Sequence, residues 1–192
     1  MKTTATAEVI PAVIVDPVQE IQDFDRVVER YWARVLRFVL AAVHDSDVAE
    51  TLTQDCFWKA YRSRGAFRGE SSLNTWLMRI AVNLVRDHTR SRRFQFWKTA
   101  KTDAVDSDTT HEWLPDRSIS PEQRASVNEQ VQAVWRATEN LSERQRTVFV
   151  LRFVEEMNIP EIAQAAGLTE NAVNVHLFRA VRAIRKRLKE PQ

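Results

Sequence analysis

The feature that most constrains this chain is helical periodicity combined with a scarcity of glycine. Gly65, Gly69 and Gly167 are the three glycines among 192 residues, so long helices meet few interruptions. Apolar residues recur at intervals of three and four, whereas no alternating strand pattern repeats between tight turns. We therefore predict an all-α protein.

Composition narrows the class of protein. A hydrophobic fraction of 44% and a charged fraction of 28% are ordinary for a soluble globular chain. Cys56 is the single cysteine, which excludes an internal disulfide and fits a reducing compartment. No apolar run approaches the roughly 18 residues of a membrane span. Pro11, Asp16 and Pro17 interrupt the N-terminal apolar run, which predicts a disordered tail at residues 1–20. We expect a cytoplasmic protein without membrane insertion.

Three helices are predicted in the N-terminal half. The first runs from Asp23 to Val43 with one broad apolar stripe. The second runs to about Ser63, and Ser46 can cap it. After a glycine-containing loop with an exposed Phe67, the third extends from about Ser72 to Arg93 and is expected to bury Leu73, Leu77, Ile80 and Leu84. Together these helices make residues 21–93 a compact domain.

Charge is segregated along the chain although its net value is +2. Residues 86–101 and 178–192 each carry six bases and one acid, whereas residues 102–122 carry six acids and one base. This pattern predicts two modules that face a polyanion, joined by a flexible acidic linker at residues 94–119. Solvated helix faces explain any single block equally well. Trp97 and Trp113 have no assigned role in the linker.

A helix-turn-helix is predicted within a C-terminal domain, residues 120–192. Ser120 followed by Pro121 begins one helix, and Ser142 with Gln145 forms a capping box for another at about Glu143–Phe153. A short helix from Ile159 follows. Ala163, Gly167 and Val173 then supply the small contact residue, the turn residue and the returning apolar residue of the motif, and Thr169 caps its second helix.

The exposed face of that second helix has side chains that can bind DNA. Asparagine can pair with adenine in the major groove, and arginine with guanine or phosphate. An ordinary αα-hairpin is the alternative, but the basic extension favours DNA binding. The residues on this face are Glu170, Asn171, Asn174, Phe178 and Arg179.

No enzyme signature competes with these motifs. The histidines His44, His88, His111 and His176 are scattered and lack metal-ligand spacing with Cys56. A phosphate-binding glycine loop is also lacking. We expect neither catalysis nor a cofactor nor a metal.

Three blocks resemble the extracytoplasmic-function (ECF) group of the sigma-70 family. They are DVAETLTQDCFWKAY at Asp47–Tyr61, FRGESSLNTWLMRIAVNLVRD at Phe67–Asp87, and the stretch from LSERQ to HLFRA at Leu141–Ala180. The likeness covers about 140 residues in the family's order. It implies a sigma factor that directs core RNA polymerase to promoters by binding their −10 and −35 elements.

The resemblance also implies roles for N-terminal residues. The second helix would bind the coiled-coil clamp of the largest catalytic subunit, although a solvated face is the alternative; its residues are Asp47, Glu50, Gln54 and Asp55. The loop and third helix would separate the DNA strands of the −10 element and bind it, with Asn83 on a base edge and arginines on phosphates. Phe67 fits either DNA binding or the bundle core. The −10 set is Phe67, Arg79, Asn83, Arg86 and Arg90.

The C-terminal domain would correspondingly bind the −35 duplex and touch the polymerase flap. Asn174, Val175 and His176 depart from the basic, small hydroxyl and arginine residues that the family commonly has there. The −35 set is Thr169, Glu170, Asn171, Asn174, Val175, Phe178, Arg179 and Arg182. The linker would thread through the polymerase towards the RNA exit path. The implied partners are core RNA polymerase, promoter DNA and an anti-sigma factor.

Two other functions compete with a sigma factor. A stand-alone DNA-binding regulator would need no polymerase-binding block, and the Asp47–Tyr61 stretch argues against it. A helical adaptor would need no DNA contacts, and Asn83 with its neighbouring arginines argues against that.

Overall fold

The computed structural model describes residues 16–99 and 134–189, with side chains up to Ser91 in the first range. Every regular element in these ranges is a helix, which confirms the all-α prediction. The elements are α1 (Pro17–Glu20), α2 (Phe24–Val43), α3 (Ser46–Ser63), a 3₁₀ turn (Arg64–Ala66), α4 (Leu73–Thr99), α5 (described over 134–139), α6 (Glu143–Phe153), α7 (Ile159–Ala166) and α8 (Glu170–Lys189).

Helices α2, α3 and α4 pack around one core in the N-terminal module, residues 16–99. The apolar stripe of α2 is buried as its spacing predicts, and Val27, Val35 and Phe38 are fully enclosed. His44 ends α2 in the left-handed conformation, with φ of 56°. A residue in this conformation is a common helix stop, and it allows α3 to fold back against α2.

Three details of the N-terminal module differ from the sequence predictions. Asp45, not Ser46, caps α3, because its carboxylate accepts hydrogen bonds from the backbone N–H groups of Asp47 and Val48 at 3.1 Å each. Helix α4 continues to Thr99, beyond its predicted end at Arg93. The last residues of the predicted disordered tail, Pro17–Glu20, form the helix α1, which Asp16 caps.

The short helix α1 is held by contacts with α2 and the loop before α4. Glu20 accepts hydrogen bonds from Arg30 at 2.8 Å and from the Tyr31 hydroxyl at 3.3 Å. Gly69 has φ of +73°, and a Cβ at this position would come within 2.9 Å of Val18. Glycine therefore suits both the backbone conformation and the close approach of α1.

The C-terminal module, residues 134–189, contains the predicted helix-turn-helix. Ser142 and Gln145 form the expected capping box of α6, and Asn158 with Glu161 forms a second box at α7. Gly167 ends α7 with φ of 66°, which permits the sharp turn into α8.

Inside the turn, Ala163 and Val173 are buried as predicted. The Thr169 hydroxyl accepts a hydrogen bond from the backbone N–H of Ala172 at 3.2 Å, so it caps α8 as expected. The predicted cap at Ser120 and the role of Trp113 lie outside the described residues, as does the side chain of Trp97.

The two modules pack directly against each other. Helix α7 lies along α4 and α6 lies against α2, so one hydrophobic core continues from Phe38 and Leu77 to Leu151, Met157 and Ile162. This arrangement places α4 beside α7, the first helix of the helix-turn-helix.

Candidate polymerase and nucleic-acid interfaces

One face of α3 is acidic and exposed. Helical spacing brings Asp47, Glu50 and Gln54 into one row, and Asp55 lies beside it. All four side chains are exposed, whereas Leu52, Cys56 and Ala60 on the opposite side are buried. The four residues predicted to bind polymerase therefore share one accessible surface.

An aromatic pair missed by the sequence analysis extends this surface. Trp58 follows Gln54 by one helical turn and is 60% exposed. Its ring stacks on Tyr61 with centroids 6.3 Å apart, and the Arg64 guanidinium lies 3.7 Å from the Tyr61 centroid. The tryptophan in the Asp47–Tyr61 block could have been flagged because its helical position places it with the acids, away from the core.

The loop before α4 surrounds an open cleft of about 340 Å³. Its lining includes Phe67, Arg68, Trp76 and Arg79, together with Gln164 from α7. Phe67 is only 8% exposed, and its ring centroid lies 5.2 Å from that of Trp76. The predicted exposure of Phe67 is therefore wrong, because Trp76 gives its ring an apolar neighbour; its role in DNA binding stays a prediction.

The polar face of α4 carries the other predicted −10 residues. Arg79, Asn83 and Arg90 are exposed, and Arg86 is half-buried. The Asn83 amide oxygen accepts a hydrogen bond from the Arg86 guanidinium. This bond leaves the Asn83 amide NH₂ as the group that can donate to a base.

Another side of α4 is apolar and buried, which the sequence analysis missed. Besides Leu73, Leu77 and Leu84, the helix buries Met78, Val82 and Val85, while Ile80 is half-buried. Full burial of a side chain of this size contributes about 1.5–3 kcal/mol. The additional apolar positions at intervals of three and four were the available signal that α4 packs against more than one neighbour.

Helix α8 and its cap residue Thr169 expose the whole predicted −35 set. Phe178 is 68% exposed and Val175 is 39% exposed, so both apolar side chains point away from the core. The polar and charged members are exposed as well: Thr169, Glu170, Asn171, Asn174, Arg179 and Arg182. Val173, Ala180 and Ile184 hold the opposite face of α8 against the module.

His176 adds no positive charge to this surface at neutral pH. Burial lowers the pKa of His176 below its usual value of 6.5, and the nearby Arg144 and Arg179 lower that pKa further. A neutral imidazole where the family commonly has arginine leaves Arg179 and Arg182 as the exposed cations of the central part of α8.

A buried ion cluster joins the modules and was not predicted. The Glu155 side chain is fully buried, and its carboxylate accepts hydrogen bonds from Arg37 Nε at 3.0 Å and Arg34 Nε at 3.2 Å. Its backbone carbonyl accepts a further bond from Arg34 at 3.1 Å. Because the partners are 118 and 121 residues apart in sequence, no local pattern indicates this contact.

The described residues contain no group of three or more histidine, cysteine, aspartate or glutamate side chains placed to hold a metal ion. None of the described helices is both long and apolar enough to cross a membrane.

Comparison with known proteins identifies the family. Residues 27–95 match the model of Sigma-70 region 2, and residues 131–184 match that of Sigma-70, region 4. The RNA polymerase sigma-H factor of Pseudomonas aeruginosa is 33% identical over 168 residues, covering 86% of each chain. The ECF RNA polymerase sigma-E factor of Escherichia coli K12 is 32% identical over 164 residues, covering 84% of each. The chain belongs to the ECF group of the sigma-70 family.

Two solved structures share the fold of this sigma factor. The sigma factor RpoE, in complex with the anti-sigma factor NepR from Bartonella quintana, superposes with a TM-score of 0.71 at 22% identity, covering 89% of this chain and 99% of that one. CnrH in complex with the cytosolic domain of CnrY gives a TM-score of 0.60 at 19% identity, covering 88% of each. Membership of the family assigns the chain to promoter-directed initiation of transcription.

Proposed function

We propose that this sigma factor uses three separate surfaces: α3 for core RNA polymerase, the loop and polar face of α4 for the −10 element, and α8 for the −35 element. The observation that carries the proposal is the presence of all three surfaces, with matching chemistry, on one chain of this family. Domain boundaries at 21–93, 94–119 and 120–192 belong to the same proposal, with the first residues of the 94–119 segment continuing α4 to Thr99.

The polymerase surface combines charge with an apolar anchor. Glu50 and Asp55 would steer the chain towards a basic helical partner, since complementary charges mainly accelerate encounter and fix orientation. Trp58 would supply binding energy, because a few aromatic residues commonly dominate interfaces. The exposure of all three side chains supports this role.

The −10 surface suits unpaired DNA. Asn83 would donate from its amide to a base edge, while Arg79, Arg86 and Arg90 bind phosphates. Phe67 and Trp76 line the neighbouring cleft, and aromatic rings can stack on a base that has left the duplex. The exposure of Arg79, Asn83 and Arg90 supports this assignment.

The −35 surface suits the major groove of duplex DNA. Asn174 could pair with adenine, and Val175 could contact the methyl group of thymine. Arg179 and Arg182 would bind phosphates and fix the position of α8. Because the chain has few cations at the centre of this helix, we expect a −35 preference for steps that contain A·T pairs.

An anti-sigma factor is a further proposed partner. The RpoE structure that shares this fold contains the anti-sigma factor NepR, and CnrH was solved in complex with the cytosolic domain of CnrY. The proposal also includes action without catalytic chemistry of its own, in the cytoplasm alongside RNA polymerase.

Run-off transcription tests the proposed function. Core polymerase and a library of promoter templates are incubated with and without the full chain. We expect discrete transcripts that need both the chain and particular −10 and −35 sequences. Equal transcript patterns with and without the chain would contradict the proposal.

A further inference from the structure

Helix α1 is too short to be stable on its own, so tertiary contacts must hold it in place. A four-residue helix meets the full cost of nucleation and gains few backbone hydrogen bonds. The Asp16 carboxylate accepts a hydrogen bond from the backbone N–H of Val18 at 2.9 Å, and Pro17 presets the first helical position. These local features favour the turn, but they do not determine where it lies.

Two contacts attach α1 to the body of the N-terminal module. Ile21, directly after α1, is 1% exposed and belongs to the hydrophobic core. The Glu20 side chain is 14% exposed, and its carboxylate accepts hydrogen bonds from Arg30 at 2.8 Å and from the Tyr31 hydroxyl at 3.3 Å. One apolar and one charged contact therefore fix the position of α1.

A third contact joins α1 to the loop that lines the cleft. Gly69 has φ of +73°, and a Cβ added there would come within 2.9 Å of a Val18 methyl group. Gly69 lies between Arg68 and Glu70, which both line the cleft of about 340 Å³. The loop therefore contacts α1 at Gly69 and lines the cleft with the residues on either side.

The two ends of this loop have anchors of their own. Phe67 is buried at its start, and at its end the Ser72 hydroxyl accepts a hydrogen bond from the backbone N–H of Thr75 at 3.1 Å. The middle of the loop, residues 68–70, is exposed. The contact with Val18 is thus placed where it can fix the path of the loop.

We propose that α1 supports the −10 loop, residues 67–72, and thereby keeps the shape of the cleft that receives an unstacked base. Val18, Glu20 and Gly69 are positioning residues, because they act on DNA through the loop. The part of this proposal that concerns DNA rests on the proposed −10 role of the cleft; the support of the loop by α1 does not.

Substitutions at Gly69 and Val18 test the contact directly. Gly69→Ala adds a Cβ that meets Val18 and also strains the left-handed backbone. Val18→Ala removes the methyl group that the Cβ would meet, so the double variant keeps only the backbone strain. The matched control is Gly65→Ala, since a Cβ at Gly65 meets nothing within 4 Å and the backbone there is not left-handed.

The charged contact supplies an independent test. Glu20→Gln weakens the attachment of α1 without changing the loop, and Glu29→Gln removes the same charge from an exposed position of α2 as a control. Loop motion is measured on the full chain by electron paramagnetic resonance, with a nitroxide attached through Glu70→Cys. Cys56 is fully buried and so is shielded from the label. Binding is measured on unlabelled chains with core polymerase.

We expect Val18→Ala and Glu20→Gln to make the nitroxide more mobile. Each should weaken binding of a single-stranded −10 oligonucleotide about threefold, the effect of one modest contact. Gly69→Ala should weaken it about tenfold because of its left-handed backbone and the clash, and adding Val18→Ala should recover about threefold. Binding of a −35 duplex should stay unchanged in all variants, whereas partial unfolding would weaken both interactions. Both control variants should match the wild type.

Unchanged nitroxide mobility in folded Val18→Ala and Glu20→Gln would overturn the support of the loop by α1. Greater mobility with unchanged −10 binding would overturn its role in recognition. Equal binding by Gly69→Ala and the double variant would contradict the contact between Val18 and Gly69. A wild-type holoenzyme that binds −10 and random oligonucleotides equally would contradict the proposed function instead, and the nitroxide would still decide whether α1 supports the loop.

Discussion

At the scale of residues, the hydrogen bond between Arg86 and Asn83 couples two roles that would otherwise be separate. Arg86 donates to the Asn83 amide oxygen, so it orients the amide as well as offering a cation to DNA. Replacing Arg86 would therefore disturb both base recognition and phosphate binding. Arg90, exposed and one turn further along α4, is the better test of a phosphate contact alone.

Asn83→Ala should relax base preference at one −10 position, with a loss of roughly 1–3 kcal/mol for the preferred base. Arg90→Ala should instead weaken all sequences about equally and reduce the salt slope by about one. Binding to a randomised −10 library, with core polymerase present, measures both effects. Because Asn83 is exposed, both variants should fold normally. Unfolding of Asn83→Ala would mean that the residue is structural.

Cys56 gives a pH-dependent measure of the N-terminal core. Burial raises the pKa of the Cys56 thiol from 9.0 to about 12, against a smaller opposing effect of Lys59. Below pH 9 the thiol is protonated in both states; above it, the unfolded chain loses this proton while the folded chain keeps it. Stability should therefore fall by about 1.4 kcal/mol between pH 8 and 10 relative to Cys56→Ala. An equal change in the free energy of unfolding between pH 8 and 10 for the wild type and Cys56→Ala would contradict this burial.

Single-residue predictions succeeded where a local hydrogen bond decides the structure. Thr169 and the Ser142–Gln145 pair form their caps because donor and acceptor lie within four residues. The α3 cap was assigned to Ser46 because Asp45 and Ser46 are adjacent and both are good cap residues, so sequence alone does not choose between them. The burial of Phe67 depends on Trp76, across a loop whose path the sequence does not give.

At the scale of elements, α3 divides into a buried apolar side and an exposed acidic side. Reversing charge with Glu50→Lys and Asp55→Lys should weaken association with core polymerase at least tenfold, because a basic partner would meet like charge. The fold should persist, since neither side chain takes part in the core. Pull-down of core enzyme by the double variant measures the effect.

The control for that experiment changes an exposed charge on a different helix of the same module. Arg26→Glu reverses an exposed charge on α2, where the Arg26 guanidinium pairs with the neighbouring Asp23 carboxylate at 3.2 Å. It should bind core polymerase like the wild type. Equal recovery of core enzyme by the wild type and the α3 double variant would refute the assigned surface.

The exposed face of helix α8 allows a second prediction at this scale. Asn174→Lys adds a cation to an exposed position, so it should raise affinity for every −35 duplex and steepen the salt dependence by about one phosphate contact. It should also change the preferred base at one position. Arg182→Ala should weaken all sequences about equally. Transcription from a randomised −35 library decides the matter; unchanged base preferences in Asn174→Lys would mean that position 174 does not face the bases.

Element predictions were accurate for the buried faces and the turn that local periodicity controls, whereas the end of α4 lies at Thr99 instead of the predicted Arg93. The stripe of α2 and the helix-turn-helix spacing at Ala163, Gly167 and Val173 both appear in the structure. The missed buried side of α4, with Met78 and Val82, has a different cause. Those side chains are buried on a helix that also packs against a distant part of the chain, and periodicity cannot say which partner covers a second apolar side.

At the scale of the whole molecule, the sequence predicts two modules, and the structure packs them together. Each module has a core that its own sequence pattern indicates. The contact of Glu155 with Arg34 and Arg37 has no such pattern, because a glutamate between two helices is ordinarily solvated. The family likeness assigns surfaces to each module, but their relative placement depends on long-range packing.

This packing bears on how the free chain should behave with promoter DNA. With its modules packed together, the chain cannot present α8 and the α4 face at the same time to −10 and −35 elements, which lie about 85 Å apart on B-form DNA at roughly 3.4 Å per base pair. Free chain should therefore bind promoter duplex weakly, with affinity that falls steeply with salt and differs little between promoter and random sequence. Adding core polymerase should produce specific binding and open-complex formation, because both modules can then contact their elements on one template.

Gel-shift titrations at two salt concentrations, with permanganate footprinting of unpaired thymines, measure both parts of this prediction. We expect core polymerase to raise the ratio of specific to random binding by about a thousandfold or more, the range of sequence-specific DNA-binding proteins. Core polymerase alone on the same template is the control, and it should give neither specificity nor reactive thymines. Tight, specific binding by the free chain that core polymerase leaves unchanged would instead favour a stand-alone regulator, since such a protein needs only its own DNA contacts.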